Sequence, residues 1–329
     1  MNIPVALSEG APKDYTIYGE MCAPNGEPTP TVQLLLHGGT YSHIYWDFPY
    51  QDGKYSYVRH TVPRGYTTLA IDRIGAGNSS HPVSTKVGLE SNAFTVHQIV
   101  QRLRTDGLGA GSFSKVVLVG HSYGSFTSWL EASTYRDVDG VIVTGALHEL
   151  APVGAASIAT YLSWPAALNP RWRQLDPGYL TTRPDTRAPF FYNTENADPD
   201  VIAMDERTKE TVTATELATF PPRMYIPTTE GIRVPVFLVV GQKDAVWCGT
   251  GGADCTSAEA VEASESPHYG PETCLQTFVL PNSGHDVNLH LNAHDWYEAA
   301  DRWTDRFIGS SAERSAACPA AQPVGSGGE

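Results

Sequence analysis

The 329-residue chain has little positive charge: 22 Lys and Arg stand against 36 Asp and Glu, which gives a formal net charge of −14. Nucleic-acid binding depends on clustered Lys and Arg, so we expect no nucleic-acid partner. The chain also lacks any apolar run near the roughly 20 residues of a membrane-spanning helix, and we expect no membrane span. Its 41% hydrophobic residues can still fill a sizeable core, which argues against a disordered chain.

Cysteine is also infrequent, and none of the five cysteines shows the C-x-x-C spacing typical of a zinc site. Cys248, Cys255 and Cys274 fall in one Gly/Ser/Glu-rich segment, where we expect a disulfide; the pairing among these three, Cys22 and Cys318 stays open. Free thiols in a cytoplasmic protein are the alternative. The first residues show no apolar signal-peptide region, so we expect no signal segment within this sequence. This fits a cytoplasmic protein or a secreted one whose signal has been replaced by an initiator Met, and the cysteines slightly favour secretion.

The chain does contain short β-branched apolar runs that alternate with helical segments. Runs that are apolar on both faces are typical of parallel strands covered by helices on both sides. The alternation predicts an α/β fold with a doubly wound, mostly parallel sheet. The predicted strands are 31–36, 66–71, 115–119, 140–144, 234–240 and 275–280, with an antiparallel edge hairpin at 4–7 and 15–21 and helices at 94–103 and 287–307.

One segment breaks this alternation. Residues 151–223 contain many prolines and scattered aromatics but no clear buried strand. We predict that they form a helical lid inserted into an α/β core made of 1–150 and 224–308. The small, polar tail 309–329 is expected to be mobile. The oligomeric state stays open.

The sequence Gly-His-Ser-Tyr-Gly at 120–124 lies between the predicted strand 115–119 and a helical segment. In this strand–turn–helix context, Gly-x-Ser-x-Gly predicts that Ser122 is a nucleophile held in a strained turn. The two glycines avoid the collisions that a Cβ would cause there. The N-terminus of the following helix favours negative charge beside the hydroxyl. An ordinary turn with a capping serine is the alternative.

A serine hydroxyl needs a base, and the base needs a carboxylate that fixes its tautomer. His285, in the loop before the final helix, is the candidate base. Asp244, just after a predicted strand, is the candidate acid, and the chain order Ser122, Asp244, His285 is the order of this motif. Glu149 is the rival acid, whereas Asp286 is expected to point away from its neighbour.

Four other histidines need a separate interpretation. His290 and His294 are four residues apart but lack the adjacent glutamate of a metalloprotease helix. We therefore expect them on a solvated helix face rather than at a metal. His37 and His121 lie within the motifs themselves and are expected to orient the surrounding loops.

Acyl transfer also requires two backbone donors for the tetrahedral oxyanion. We predict the amides of Tyr123 and Gly39, with Thr40 as the alternative to Gly39. Aromatic residues near this glycine loop and in the lid indicate an apolar acyl or aryl pocket, although ordinary core packing also explains them. The candidate substrate contacts are Thr40, Tyr41, Tyr45, Trp46 and Trp164.

These motifs resemble the α/β-hydrolase superfamily, in its serine esterase and lipase branch. The resemblance rests on the His37-Gly38 pair after one strand and on an Asp-Arg-x-Gly-x-Gly-x-Ser turn at 72–79, and it covers about residues 1–150 and 225–308. It implies that the turn at 72–79 is mainly structural. Because the nucleophile is a serine and not an aspartate, the dehalogenase and epoxide-hydrolase branches are disfavoured.

The resemblance further implies that Ser122, Asp244 and His285 form the catalytic triad. We therefore expect cleavage of a small-molecule carboxylic ester (EC 3.1.1) in two steps through an acyl-enzyme, with no metal or organic cofactor. The same triad acting on a lactone, thioester, amide or carbon–carbon bond, or as an acyl-transferring cyclase, is the alternative. A ligand receptor on a hydrolase scaffold is a more distant one.

Overall fold

The computed structural model describes residues 1–26, 29–225 and 228–309; for 220–225 it describes the backbone only. Strands and helices alternate along this part of the chain as predicted. The strands are β1 (Asn2–Val5), β2 (Tyr15–Cys22), β3 (Thr31–Leu36), β4 (Thr67–Ile71), β5 (Lys115–His121), β6 (Gly140–Thr144), β7 (Trp164–Pro165), β8 (Tyr179–Thr181), β9 (Val212–Thr213), β10 (Val236–Gly241) and β11 (Gln276–Leu280). The α-helices are α1 (Tyr57–Thr61), α2 (Leu89–Thr105), α3 (Tyr123–Thr134), α4 (Pro152–Tyr161), α5 (Arg187–Phe191), α6 (Pro199–Thr208), α7 (Ala214–Tyr225), α8 (Ala258–Glu265) and α9 (Ala293–Phe307).

An eight-stranded sheet forms the centre of the fold, in the order β1-β2-β4-β3-β5-β6-β10-β11. Six neighbouring strands of this sheet pair in parallel, namely β4, β3, β5, β6, β10 and β11. At one edge β1 and β2 add in antiparallel orientation, as the predicted edge hairpin requires. Every residue of β3, β5 and β10 is buried, which explains why these strands are largely apolar on both faces. The doubly wound, mostly parallel sheet is confirmed.

The segment between β6 and β10 has a structure of its own. It contains α4 to α7 and a three-stranded antiparallel sheet in the order β7-β8-β9. These strands are only two or three residues long, too short to produce an apolar alternation in the sequence. The three short strands are an addition to the predicted helical insertion, to which α4 to α7 contribute the helices.

Two predictions concern the chain outside the sheet. Apart from Gly309, the tail 309–329 lies outside the described residues. Within the described ranges, no helix combines the length and the apolar character that crossing a bilayer demands.

Candidate active site

Ser122 lies in the sharp turn that joins β5 to α3. Its backbone has φ 51° and ψ −117°, a strained combination for a residue with a side chain. The Ser122 amide donates to the carbonyl of Thr144 at 2.8 Å, and the Ser125 amide donates to the Ser122 carbonyl at 2.9 Å. The turn is therefore held from β6 on one side and from the first turn of α3 on the other.

The glycines beside Ser122 are required by close packing. A Cβ on Gly124 would lie 2.1 Å from the carbonyl oxygen of Leu36, at the end of β3. A Cβ on Gly120 would lie 2.5 Å from the carbonyl oxygen of Gly124. Both contacts are with backbone that cannot move aside, so these glycines permit the turn.

His285 and Asp244 form a buried pair near this turn. His285 Nδ1 lies 2.9 Å from Asp244 Oδ2, and the two side chains are 2% and 0% exposed. Burial lowers the pKa of His285, but the Asp244 carboxylate outweighs this effect and the pKa is raised. Asp244 is itself fixed, because its Oδ1 accepts a hydrogen bond from the Val246 amide at 2.9 Å. The rival acid Glu149 is exposed.

Asp286 follows His285 in the chain but faces another group of residues. Its Oδ1 lies 3.3 Å from Nε2 of His121, and its Oδ2 accepts a hydrogen bond from the Tyr41 hydroxyl. Burial raises the pKa of the Asp286 carboxyl, an effect that the nearby Arg187 opposes. The expectation that Asp286 points away from its neighbour agrees with this geometry.

A buried ion pair lies behind Tyr41. Arg187 Nε donates to Asp205 Oδ2 at 2.7 Å, and the two side chains are 0% and 1% exposed. The Arg187 guanidinium lies 4.2 Å from the centre of the Tyr41 ring, and its Nη1 donates to Thr40 Oγ1 at 3.1 Å. Thr40 has φ 64°, a left-handed conformation uncommon for a β-branched residue. Two charged residues of the 151–223 segment thus hold the loop that follows β3.

Arg73 ties the same loop to the nucleophile turn. Its Nε donates to the carbonyl of His37 at 2.9 Å and its Nη2 to that of Gly38 at 3.3 Å. The guanidinium lies 4.6 Å from the centre of the Tyr123 ring, and Nη1 pairs with Glu216 Oε1 at 2.5 Å. His37 accepts from the Arg73 amide through Nε2, and burial lowers its pKa to about 3, so it stays neutral. The turn at 72–79 therefore has the structural role expected of it.

Gly39 and Tyr123, the predicted oxyanion donors, line one cavity with Ser122 and His285. The glycine loop passes directly beside the nucleophile, since a Cβ on Gly38 would lie 3.1 Å from the Cβ of Ser122. The cavity has a volume of about 40 Å³. The rest of its wall is apolar and comes largely from the 151–223 segment. These residues are Phe126, Ile158, Leu162, Phe190, Phe191, Leu217, Val246 and Trp247.

The five candidate substrate contacts lie outside this wall. Tyr41 and Thr40 belong to the buried cluster around Arg187. Tyr45 stacks on the His121 ring at 4.4 Å, and Trp46 is fully buried against Tyr45. Trp164, partly buried in β7, lies 5.5 Å from the Arg183 guanidinium. Core packing, the alternative interpretation, describes the positions of Tyr41, Tyr45 and Trp46, whereas Trp164 is only partly buried.

The expectation that His290 lies on a solvated helix face is wrong. It is fully buried and precedes α9, so helical periodicity does not apply to it. Its Nδ1 donates to the carbonyl of Asp286, and its Nε2 accepts from the amides of Gly284 and Asn193. It therefore braces the loop that contains His285. His294, by contrast, is exposed as expected.

A disulfide joins Cys248 to Cys255, with 5.7 Å between their Cα atoms. This is one of the pairings left open by the sequence. The bridge closes a short loop immediately after Asp244, next to Val246 and Trp247 in the cavity wall. Among the described residues Cys22 is a free thiol.

The parallel sheet and the positions of the serine turn, carboxylate and histidine after its strands define a hydrolase of the α/β class. A family model described as "Alpha/beta hydrolase family" matches residues 33–300, and the chain belongs to that family.

Three relatives illustrate the similarity. A curated Xenopus tropicalis protein named epoxide hydrolase 3 is 33% identical over 125 residues, which are 38% of this chain and 30% of that protein. An esterase from Thermogutta terrifontis has a similar structure, with a TM-score of 0.63, 18% identity and coverage of 92% of this chain and 97% of that one. A monoglyceride lipase from Saccharomyces cerevisiae gives a TM-score of 0.62, 15% identity and coverage of 92% and 96%. The structural similarity at these identities concerns the fold.

Proposed function

We propose that this protein is a serine hydrolase that cleaves carboxylic esters through an acyl-enzyme on Ser122. One observation carries the proposal. Ser122, His285, Gly39 and Tyr123 line the same small cavity, and His285 is paired with Asp244 from behind. This arrangement supplies a nucleophile, an oriented base and two backbone positions for an oxyanion.

In the first step His285 Nε2 takes the proton of the Ser122 hydroxyl while the oxygen attacks the ester carbonyl carbon. The negative charge on the carbonyl oxygen is stabilised by the amides of Gly39 and Tyr123. His285 then gives the proton to the leaving alcohol, and an acyl ester on Ser122 remains. In the second step His285 activates a water molecule, which releases the carboxylic acid and restores the serine.

The cavity wall favours an apolar acyl or aryl group. Phe190, Phe191, Ile158 and Leu217 from the 151–223 segment lie in this wall together with Trp247 from the Asp244 loop. These side chains offer dispersion contacts but few hydrogen bonds, so they select by shape and size. We propose that the 151–223 segment acts as the lid and sets the substrate preference.

The name of the Xenopus tropicalis relative raises epoxides as a second substrate class. The residue at the nucleophile turn argues for acyl transfer. Attack of a serine oxygen on an ester carbonyl gives an acyl-enzyme that water can hydrolyse, whereas its attack on an epoxide carbon would leave an ether that hydrolysis does not release. An aryl epoxide is therefore the appropriate comparison substrate.

The test is a panel of p-nitrophenyl esters of increasing acyl length, with an aryl epoxide alongside. Wild type, Ser122→Ala and the control Ser133→Ala are compared; Ser133 lies in the last turn of α3, with its hydroxyl bonded to the Leu130 carbonyl. We expect ester turnover in wild type and in the control, and its loss in Ser122→Ala. Epoxide opening without ester turnover, or ester turnover unchanged in Ser122→Ala, contradicts the proposal.

A further inference from the structure

Three ionisable side chains meet at the end of α3 that is remote from Ser122. His97 from α2, Glu131 from α3 and Asp137 from the loop before β6 place one nitrogen and two carboxylate oxygens within 4.8 Å of one another. His97 Nδ1 lies 2.7 Å from Asp137 Oδ2, and the side-chain amide Nε2 of Gln101 donates to the same oxygen at 2.6 Å. None of these residues takes part in the ester chemistry.

Glu131 is the unusual member of this cluster. Its side chain is 0% exposed, and neither carboxylate oxygen has a hydrogen-bond partner among the described residues. The Oδ1 atom of Asp137 is likewise buried without a partner in that part of the chain. A buried carboxylate without a partner is costly, so three unpaired oxygen atoms facing one another require either protons or a cation.

The guanidinium of Arg104, whose charge acts on Glu131, makes its close contacts elsewhere. Arg104 Nε donates to the backbone carbonyl of Asp137 at 2.7 Å, and its Nη2 pairs with the Asp139 carboxylate at 2.5 Å. It therefore makes its close contacts outside the space between Glu131 and the Asp137 side chain. The two carboxylates can therefore be bridged either by a shared proton or by a bound cation.

We propose that His97, Glu131 and Asp137 bind a divalent transition-metal ion, with Zn²⁺ as the best match. One imidazole nitrogen and two carboxylate oxygens are ligands that Zn²⁺ accepts, and the histidine disfavours Mg²⁺ and Ca²⁺. Ligand atoms around a tetrahedral Zn²⁺ lie roughly 3.3 Å apart. The most widely separated ligand atoms thus need to close by about an ångström and a half or less from the 4.8 Å span. His97 Nδ1 has to exchange its 2.7 Å contact with Asp137 Oδ2 for a bond to the ion. Water completes the coordination, and the ion replaces the protons on the ligands.

The expected role of this site is structural. Glu131 lies nine positions after Ser122, which is roughly 13 Å along a helix at 1.5 Å per residue. A metal there would clamp the C-terminal end of α3 to α2 and to the loop before β6. We therefore expect Zn²⁺ to raise the melting temperature and to leave ester turnover unchanged.

Calorimetric titration of the full chain with Zn²⁺, after removal of metals with EDTA, tests the site. Glu131→Gln and His97→Gln each remove one ligand while retaining a similar side-chain length. His294→Gln is the matched control, since His294 is an exposed histidine outside the cluster. We expect one Zn²⁺ site in wild type and in the control, with affinity at least tenfold weaker in both cluster variants.

A second measurement separates ligand loss from misfolding. Glu131→Gln removes an unpartnered buried carboxylate, so its melting temperature without metal is expected to equal or exceed that of wild type, while its increase with Zn²⁺ disappears. Absence of saturable Zn²⁺ binding in wild type overturns the proposal. Equal affinity in wild type and in folded Glu131→Gln and His97→Gln overturns it as well, because the ion would then bind elsewhere.

Discussion

The guanidinium of Arg73 and the carboxylate of Glu216 form an ion pair of 2.5 Å in which both side chains are almost completely buried. The pair joins the turn after β4 to α7, and the same guanidinium packs on the ring of Tyr123. The proposed oxyanion donors are thus held by a charge contact that begins in the 151–223 segment.

Removing the Glu216 carboxylate should therefore affect stability and catalysis together. We expect Glu216→Ala to lower the free energy of unfolding by about 3–5 kcal/mol, because it leaves the Arg73 charge buried without its partner. Urea denaturation measures the change. The control Glu298→Ala breaks the exposed pair with Arg302 on α9 and should hardly change the midpoint. Equal, small effects of both variants would show that the Arg73 pair is not important for stability.

Two buried carboxylates, Asp244 and Asp286, lie near His285, and their asparagine variants test the assignment of Asp244 as its partner. Asp244→Asn removes the charge bonded to His285 Nδ1, and we expect kcat to fall about 10⁴-fold. Asp286→Asn retains the shape of the side chain that contacts His121 and Tyr41, and we expect a far smaller loss of kcat. Steady-state kinetics on the preferred p-nitrophenyl ester provides the comparison. A larger loss in Asp286→Asn than in Asp244→Asn would exchange the two roles.

The raised pKa of His285 predicts the acidic side of the pH profile. The proposed base must be neutral to accept the proton of Ser122, so kcat/KM falls as the pH drops through this pKa. Because the Asp244 carboxylate raises the pKa, we expect the midpoint above the usual histidine value of about 6.5. In Asp244→Asn the residual activity should show a midpoint at lower pH. If the midpoint of the pH profile is the same in Asp244→Asn and in wild type, the titrating group is not His285.

The disulfide after Asp244 is expected to support stability. A Cys248→Ser, Cys255→Ser double variant releases a loop whose ends are 7 residues apart, and chain entropy predicts a loss of about 2–3 kcal/mol. Cys22→Ser is the control, since Cys22 is a free thiol. Thermal unfolding of the three proteins measures the effect. A double variant as stable as the Cys22→Ser control would contradict it.

The central strands and the nucleophile turn could be predicted because their signals are local. β3 and β5 are covered on both faces and therefore appear as continuous apolar runs. The glycines beside Ser122 are required by contacts with nearby backbone. A Cβ on Gly120 would meet Gly124, four residues later, and a Cβ on Gly124 would meet Leu36 at the end of the adjacent strand. The order of Ser122, Asp244 and His285 follows from the order of the strands that carry them.

The cavity wall and the buried charges could not be predicted in the same way. Ile158 and Leu217 contact the cavity only because the 151–223 segment folds back over the sheet. Arg187 and Asp205 are single charged residues without a motif, and their pairing depends on a long-range contact. His290 was misinterpreted because a helical spacing was extended to a residue before the start of α9.

Covalent labelling of the nucleophile tests the central claim most directly. Wild-type protein is treated with a fluorophosphonate, digested and mapped by mass spectrometry, in parallel with Ser122→Ala and Ser133→Ala. We predict one adduct per chain on the peptide that contains Ser122, complete inhibition of ester turnover when labelling is complete, and no adduct in Ser122→Ala. A label on another residue, or ester turnover that persists after Ser122 is fully labelled, would contradict the proposed mechanism.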